Sequence, residues 1–128
     1  MTDRLDKDVQ RLVHMLEGIK RLEKLLAGMG QDGFLRDNRT QAAVAFHVSM
    51  VGEAAARISD PFRQAHSEIP WEKMRGMRNH LVHIFDYGQI DFGIVWEVAK
   101  ESLPALEPAI RAALHTIPLP PDFTLPDV

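Results

Sequence analysis

Apolar residues recur at steps of three and four along almost the whole chain, and this spacing constrains the fold more than any other feature. Leu5, Val9, Leu12, Val13, Leu16, Ile19, Leu22, Leu25 and Leu26 share one helical face. They predict a long amphipathic helix over roughly residues 3–27, interrupted only by Gly18. The glycine-rich stretch GMGQDGF (28–34) predicts its end. A second helix is expected from about Thr40 to Ser59, with Asp37, Asn38 and Thr40 as candidate caps. Its apolar face would comprise Ala42, Ala43, Phe46, Met50, Val51, Ala54, Ala55 and Ile58. The small residues of Gly52-Glu53-Ala54-Ala55-Ala56 would let another helix come close.

Asp60-Pro61 should break or restart the helix, leaving a short helical turn near 61–66. Pro70 suits a first turn, so a third helix is expected from about Pro70 to His83, with Trp71, Met74, Met77, Leu81 and Ile84 facing the core. Asp86-Tyr87-Gly88 reads as a turn. A fourth helix would span about Phe92–His115, burying Ile94, Val95, Val98, Leu106, Ile110 and Leu114, with a kink at Pro104 and a second interruption at Pro108. No alternating strand pattern and no internal repeat is evident. The fold class that follows is all-α: an up-and-down bundle of four main helices plus short helical segments. One helical domain over 1–117 would be followed by a proline-rich tail, PLPPDFTLPDV (118–128), lying on the domain or a partner, or disordered.

Composition narrows the chemistry. A chain of 128 residues suits one domain with its own core. It has no cysteine, which excludes disulfides, thiolate catalysis and cysteine-based zinc sites, and fits a reducing compartment. The formal net charge of −3 argues against a protein that coats nucleic acid through a broad basic surface. Between Arg57 and His83 the balance reverses: Arg57, Arg63, Lys73, Arg75 and Arg78 oppose Asp60, Glu68 and Glu72. The charged N-terminus and the absence of a long apolar run predict a cytoplasmic protein without a membrane span.

Chemistry concentrates in RGMRNHLVH (75–83). Arg78 and His83 stand in an Arg-x4-His spacing, and Arg75 and His80 form a second such pair in an overlapping register. Arginine offers a planar, permanently charged fork to phosphate oxygens, and histidine moves protons near neutral pH. Together they are a minimal kit for phosphodiester cleavage without a metal. On a helix, Arg78 and His83 differ by roughly 140° around the axis. They could still converge near a helix end or across a cleft between two copies. Arg75, Asn79, His83 and Tyr87 are spaced by four and line one face if the helix persists. Spacing leaves both registers open, and two arginines on an amphipathic helix also make an ordinary solvated face. Glu53 reads first as a helix salt bridge. Trp71 and Trp96 could stack on bases, although their helical spacing suits the core better. His14, His47, His66 and His115 show no metal-ligand spacing.

The string IPWEKMRGMRNHLVHIFDYGQIDFGIVWEVAKESLPAL (69–106), with VGEAAARIS (51–59) before it, resembles the HepT-like branch of the HEPN domain superfamily. The resemblance implies an all-α bundle that forms a homodimer with its Arg-x4-His motifs at a shared cleft. It implies an RNase toxin, without cofactor, paired with a nucleotidyltransferase antitoxin. The family arginine falls on Arg78, its following polar residue on Asn79 and its histidine on His83, which favours this register. Arg75, His80 and Lys73 become candidate RNA contacts. The HepT toxins typically continue the motif as His-x-Tyr, the tyrosine being modified with AMP by the antitoxin. Here Phe85 occupies that position. Either Tyr87, two residues on, is the AMP acceptor, or tyrosine AMPylation is not the mode of control. The shift redirects the side chain and favours the second. Rival readings are an RNA- or nucleotide-binding module that does not cut, and a structural partner of the nucleotidyltransferase.

Overall fold

The computed structural model describes residues 6–82 and 90–125. These form an all-helical bundle; among the described residues there is no strand. The order is α1 (Lys7–Leu26), α2 (Gln31–Leu35), α3 (Asn38–Ala56), α4 (Asp60–Ala65), α5 (Trp71–Val82), α6 (Phe92–Glu97), a π-helical turn (Val98–Ser102), α7 (Leu103–Ala105) and α8 (Glu107–Leu114). The predicted Asp86-Tyr87-Gly88 turn and the core residues Leu5 and Ile84 lie outside the described residues.

The long helix α1 buries Val9, Leu12, Leu16, Ile19, Leu22 and Leu26, the stripe its periodicity predicts. Each such side chain contributes about 1.5–3 kcal/mol by leaving water. Asp6 caps the start, accepting from the Asp8 N–H at 2.7 Å. Gly28, with φ 75°, turns the chain away at the far end, in a conformation that only glycine adopts freely. Gly18 has a packing role. A Cβ there would lie 2.5 Å from Cγ2 of Val51, so its absence lets α1 and α3 cross closely.

The GMGQDGF stretch does more than stop α1. Within it, α2 places Phe34 in the core, fully buried, 5.4 Å from the Trp96 ring and 6.2 Å from the Phe92 ring. Buried Gln41 of α3 is satisfied by donating to the Phe34 carbonyl at 3.0 Å. Asp37 caps α3, accepting from the Thr40 N–H at 3.0 Å and the Thr40 hydroxyl at 2.7 Å. These bonds hold the Asp37 carboxyl below its ordinary range.

Ser59 caps α4 at the Asp60-Pro61 restart, and its hydroxyl donates to Asp8 at 2.6 Å, tying the restart to α1. Trp71 is buried at the start of α5 and donates its indole N–H to the His66 carbonyl at 3.0 Å. It belongs to the core and offers no face for base stacking.

Pro104 deforms the last long helical stretch, as its position predicts. It lacks an N–H, and its ring would strike the Lys100 carbonyl in a regular helix. The chain widens into a π turn just upstream, with the Leu103 N–H reaching the Val98 carbonyl. A further break at Leu106 precedes α8, whose first turn holds Pro108. Beyond Leu114, Leu119, Phe123 and Leu125 of the non-helical tail pack partly buried against the core.

Of the expected core residues, Ala42, Phe46, Met50 and Ile94 are exposed, and Leu25, Ala43, Met77, Val98 and Leu106 are only partly buried. Phe46 is 58% exposed, Ile94 49% and Met50 45%. In α3 the buried stripe is Val44, Val48, Val51 and Ala55, turned away from Phe46 and Met50. A choice between two apolar stripes on one helix is made by α1 and α5, which pack against the valine stripe.

Candidate functional site

Gly52 sits where α3 crosses α5. A Cβ on it would lie 2.6 Å from the Arg78 Cβ and 2.7 Å from the Met74 carbonyl oxygen. The small-residue run therefore does what its composition suggests, and what it brings close is Arg78. The next residue, Glu53, reaches arginines on both helices. Its Oε2 accepts from Arg57 Nε at 2.8 Å, one turn along α3. Its Oε1 lies 3.4 Å from Arg78 Nε on α5. The second contact is an ion pair rather than an aligned hydrogen bond, and Arg78 Nε is shut off from solvent. The Arg78 side chain as a whole is only 24% exposed. A guanidinium held at its root by glycine and at its Nε by carboxylate is a preorganised cation, unlike the freely waving arginine of a solvated face.

Arg75 is placed differently. It pairs with Glu72 one turn back on α5, and this contact holds the guanidinium pKa up and the carboxylate pKa down. Arg63 is likewise paired with Asp60. Much of the local cationic excess is thus neutralised within single helices. Asn79 is exposed and His80 partly exposed on α5. Exposed Lys73 lines, with Ser102, the otherwise apolar rim of a hollow of about 360 Å³ between α3, α5 and the π turn. His83, Phe85 and Tyr87 lie outside the described residues. The described geometry thus sets Arg78 apart from Arg75.

Glu53, expected from sequence to form a helix salt bridge, does form one with Arg57 but also crosses to Arg78. The i to i+4 spacing signals the first contact; nothing local signals the second. A groove opens on the other side of Glu53, between α1 and α3, lined by Arg11, His14, Arg21, Phe46, His47, Met50 and Arg57 among others. Burial, reinforced by the Arg21 charge, pushes the His47 imidazole below its ordinary value. Phe46 stands edge-on to His47, ring centres 5.2 Å apart. The neighbourhood of Glu53 thus combines cations, a carboxylate and uncovered apolar side chains.

Comparison with known proteins decides the lineage. The profile of the Ribonuclease HepT-like family matches residues 15–113, which include both the Glu53 region and the Arg78 helix. The chain belongs to the HepT-like ribonuclease family. A Thermococcus cleftensis protein named "Probable ribonuclease HepT" is 34% identical over 96 residues, 75% of this chain and 86% of the relative. A protein of Caldanaerobacter subterraneus subsp. tengcongensis with a provisional RNase name is 29% identical over 104 residues, 81% of this chain and 91% of the relative. A Methanocaldococcus jannaschii protein, also provisionally named as an RNase, is 30% identical over 99 residues, 77% of this chain and 80% of the relative. No solved structure matches significantly. Membership in the HepT-like family agrees with the resemblance carried by residues 51–59 and 69–106. No helix among the described residues is long and apolar enough to cross a membrane.

Proposed function

We propose that this protein is an endoribonuclease that cleaves RNA through the Arg78-x4-His83 motif at the cleft of a homodimer. The observation that carries this reading is the held position of Arg78 at the α3–α5 crossing in a chain of the HepT-like family. The RNA 2′-OH attacks the adjacent phosphorus, the bond to the departing 5′ oxygen breaks, and a 2′,3′-cyclic phosphate forms. His83 takes the proton from the 2′-OH or gives one to the leaving oxygen, and the partner copy's motif serves the opposite need. Arg78 stabilises the negative charge that builds on the phosphate oxygens. Asn79 orients one of these groups. Arginine supplies the charge and histidine the proton transfer, so the scheme requires no metal.

The homodimer reading gains support from Phe46 and Met50, which are exposed on α3 beside Glu53 and Arg57. An exposed apolar patch rimmed by charge is a common interface signature. The protein acts in the cytoplasm as the toxin of a toxin–antitoxin pair, held by a cognate nucleotidyltransferase. Phe85 removes the hydroxyl at the position of the family tyrosine, so control by the partner proceeds without AMPylation there.

The chemistry is tested with labelled RNA oligonucleotides, one all-ribose and one carrying a single 2′-deoxy residue at the cleaved position. Cleavage of the first to a cyclic phosphate end and resistance of the second support this mechanism. Cleavage of both at that position would refute attack by the 2′-OH.

A further inference from the structure

We infer that Glu53 is a positioning residue for Arg78: its carboxylate, shared between Arg57 and Arg78, fixes the Arg78 guanidinium so that its Nη atoms face the scissile phosphate. This deepens the ribonuclease reading and rests on it.

Glu53 presents two oxygens to two arginines from different helices, Oε2 to Arg57 at 2.8 Å and Oε1 to Arg78 at 3.4 Å. A guanidinium carries one donor on Nε and four on its Nη atoms. The Glu53 carboxylate, 3.4 Å from Nε, makes no aligned hydrogen bond there; it holds that side of the fork by charge and leaves the Nη donors to recognise phosphate. The Arg78 Nε is shielded from water, so Glu53 is its fixed electrostatic neighbour. Gly52 supplies the other half of the clamp by letting the Arg78 Cβ lie against α3. An ordinary exposed salt bridge contributes little and orients little. Here the pair joins two helices, and the Arg78 Nε atom is shut off from solvent although both side chains are partly exposed.

The charges separate positioning from simple scaffolding. Arg57, Glu53 and Arg78 together carry +1 when all are ionised. Neutralising Glu53 raises this to +2, which strengthens attraction for a polyanion while releasing the fork from its orientation. The two effects have opposite signs on binding and on turnover. A residue that merely held the fold together would weaken both and lower the melting temperature.

The experiment compares wild type, Glu53→Gln, Glu53→Asp and Arg78→Ala. Three quantities are read: single-turnover cleavage of a labelled RNA at saturating protein, the Kd of a 2′-deoxy-substituted analogue, and the melting temperature. Glu53→Gln is expected to slow cleavage by about 10- to 100-fold, as a displaced catalytic group does. Its Kd should be equal to or tighter than wild type, with melting close to wild type. Glu53→Asp should recover part of the rate. Wild-type cleavage by Glu53→Gln, or parallel loss of rate, affinity and melting temperature, would overturn the positioning role.

Loss of cleavage in Arg78→Ala with full activity in Glu53→Gln would sink this inference and leave the ribonuclease reading standing. If wild type does not cut RNA, the ribonuclease reading fails by itself, and the clamp is judged from the Arg78 Nε–H resonance. That resonance should exchange slowly with solvent in wild type and much faster in Glu53→Gln; equal exchange in both would overturn the clamp.

Discussion

Gly52 and Arg78 occupy each other's space: a Cβ on Gly52 would come within 2.6 Å of the Arg78 Cβ. Gly52→Ala must therefore push α3 and α5 apart, because the nearby Met74 carbonyl at 2.7 Å is backbone and cannot swing away. The expected loss is about 1–3 kcal/mol, the usual cost of overpacking a tight contact. Gly76, in the middle of α5, gives the opposite result, because a Cβ added there would meet nothing within 4 Å. Gly76→Ala should stabilise by about 0.5–1 kcal/mol through helix propensity. Urea unfolding midpoints of the two variants should move in opposite directions. A shift in the same direction would contradict the crossing geometry.

Phe34 is fully buried against Phe92 and Trp96. Phe34→Ala should cost about 3–5 kcal/mol, as large-to-small changes at buried aromatics do. A loss below about 1 kcal/mol, the typical effect of an average substitution, would show that α2 is not part of the core.

The His47 imidazole is partly buried and faces Arg21, so its midpoint should lie below the ordinary 6.5. Burial is the larger cause and the Arg21 charge the smaller. A neutral imidazole favoured in the folded state contributes stability that is full above 6.5 and falls as pH drops toward the folded midpoint. NMR titration should place His47 below 6.5, with Arg21→Gln moving it up only part of the way. A midpoint at or above 6.5 in wild type would contradict the buried placement.

The long helices and their order were legible because α1 and α5 have clear three- and four-residue spacing and α3 has strong boundary residues. Asp37, Asp60-Pro61, Pro70 and Pro104 mark caps, restarts and a kink by their own chemistry, and each acts close to where it stands. What could not be read was the choice between faces. The helix α3 carries Val44, Val48, Val51 and Ala55 on one stripe and Phe46 and Met50 on another, and only tertiary packing selects the first. Phe34 sits in a glycine-rich stretch whose turn chemistry hides a core residue. At the site, Arg78 was separable from Arg75 only by family resemblance, because both lie in an Arg-x4-His spacing. The structure adds a physical difference: Arg75 is tied to Glu72 on its own helix, while Arg78 is held from α3. Spacing shows contacts within one helix and is blind to those between helices, which is why Glu53 looked ordinary.

The second α3 stripe yields a further expectation. Phe46→Ser with Met50→Ser removes apolar surface that is already exposed, so stability should change little, within about 0.5 kcal/mol per site. Self-association should weaken, shifting the protein toward monomer in analytical ultracentrifugation. An unchanged dimer would place the interface elsewhere; a wild type that is already monomeric would remove the shared-cleft scheme.

The most direct measurement is cleavage of a labelled RNA in EDTA by wild type, Arg78→Ala and His83→Ala, each confirmed folded by its melting curve. The account predicts cutting by wild type, with a cyclic phosphate end, and a loss of at least about 100-fold in either variant, the scale on which acid–base and charge-stabilising groups act. Full activity in both variants would contradict it.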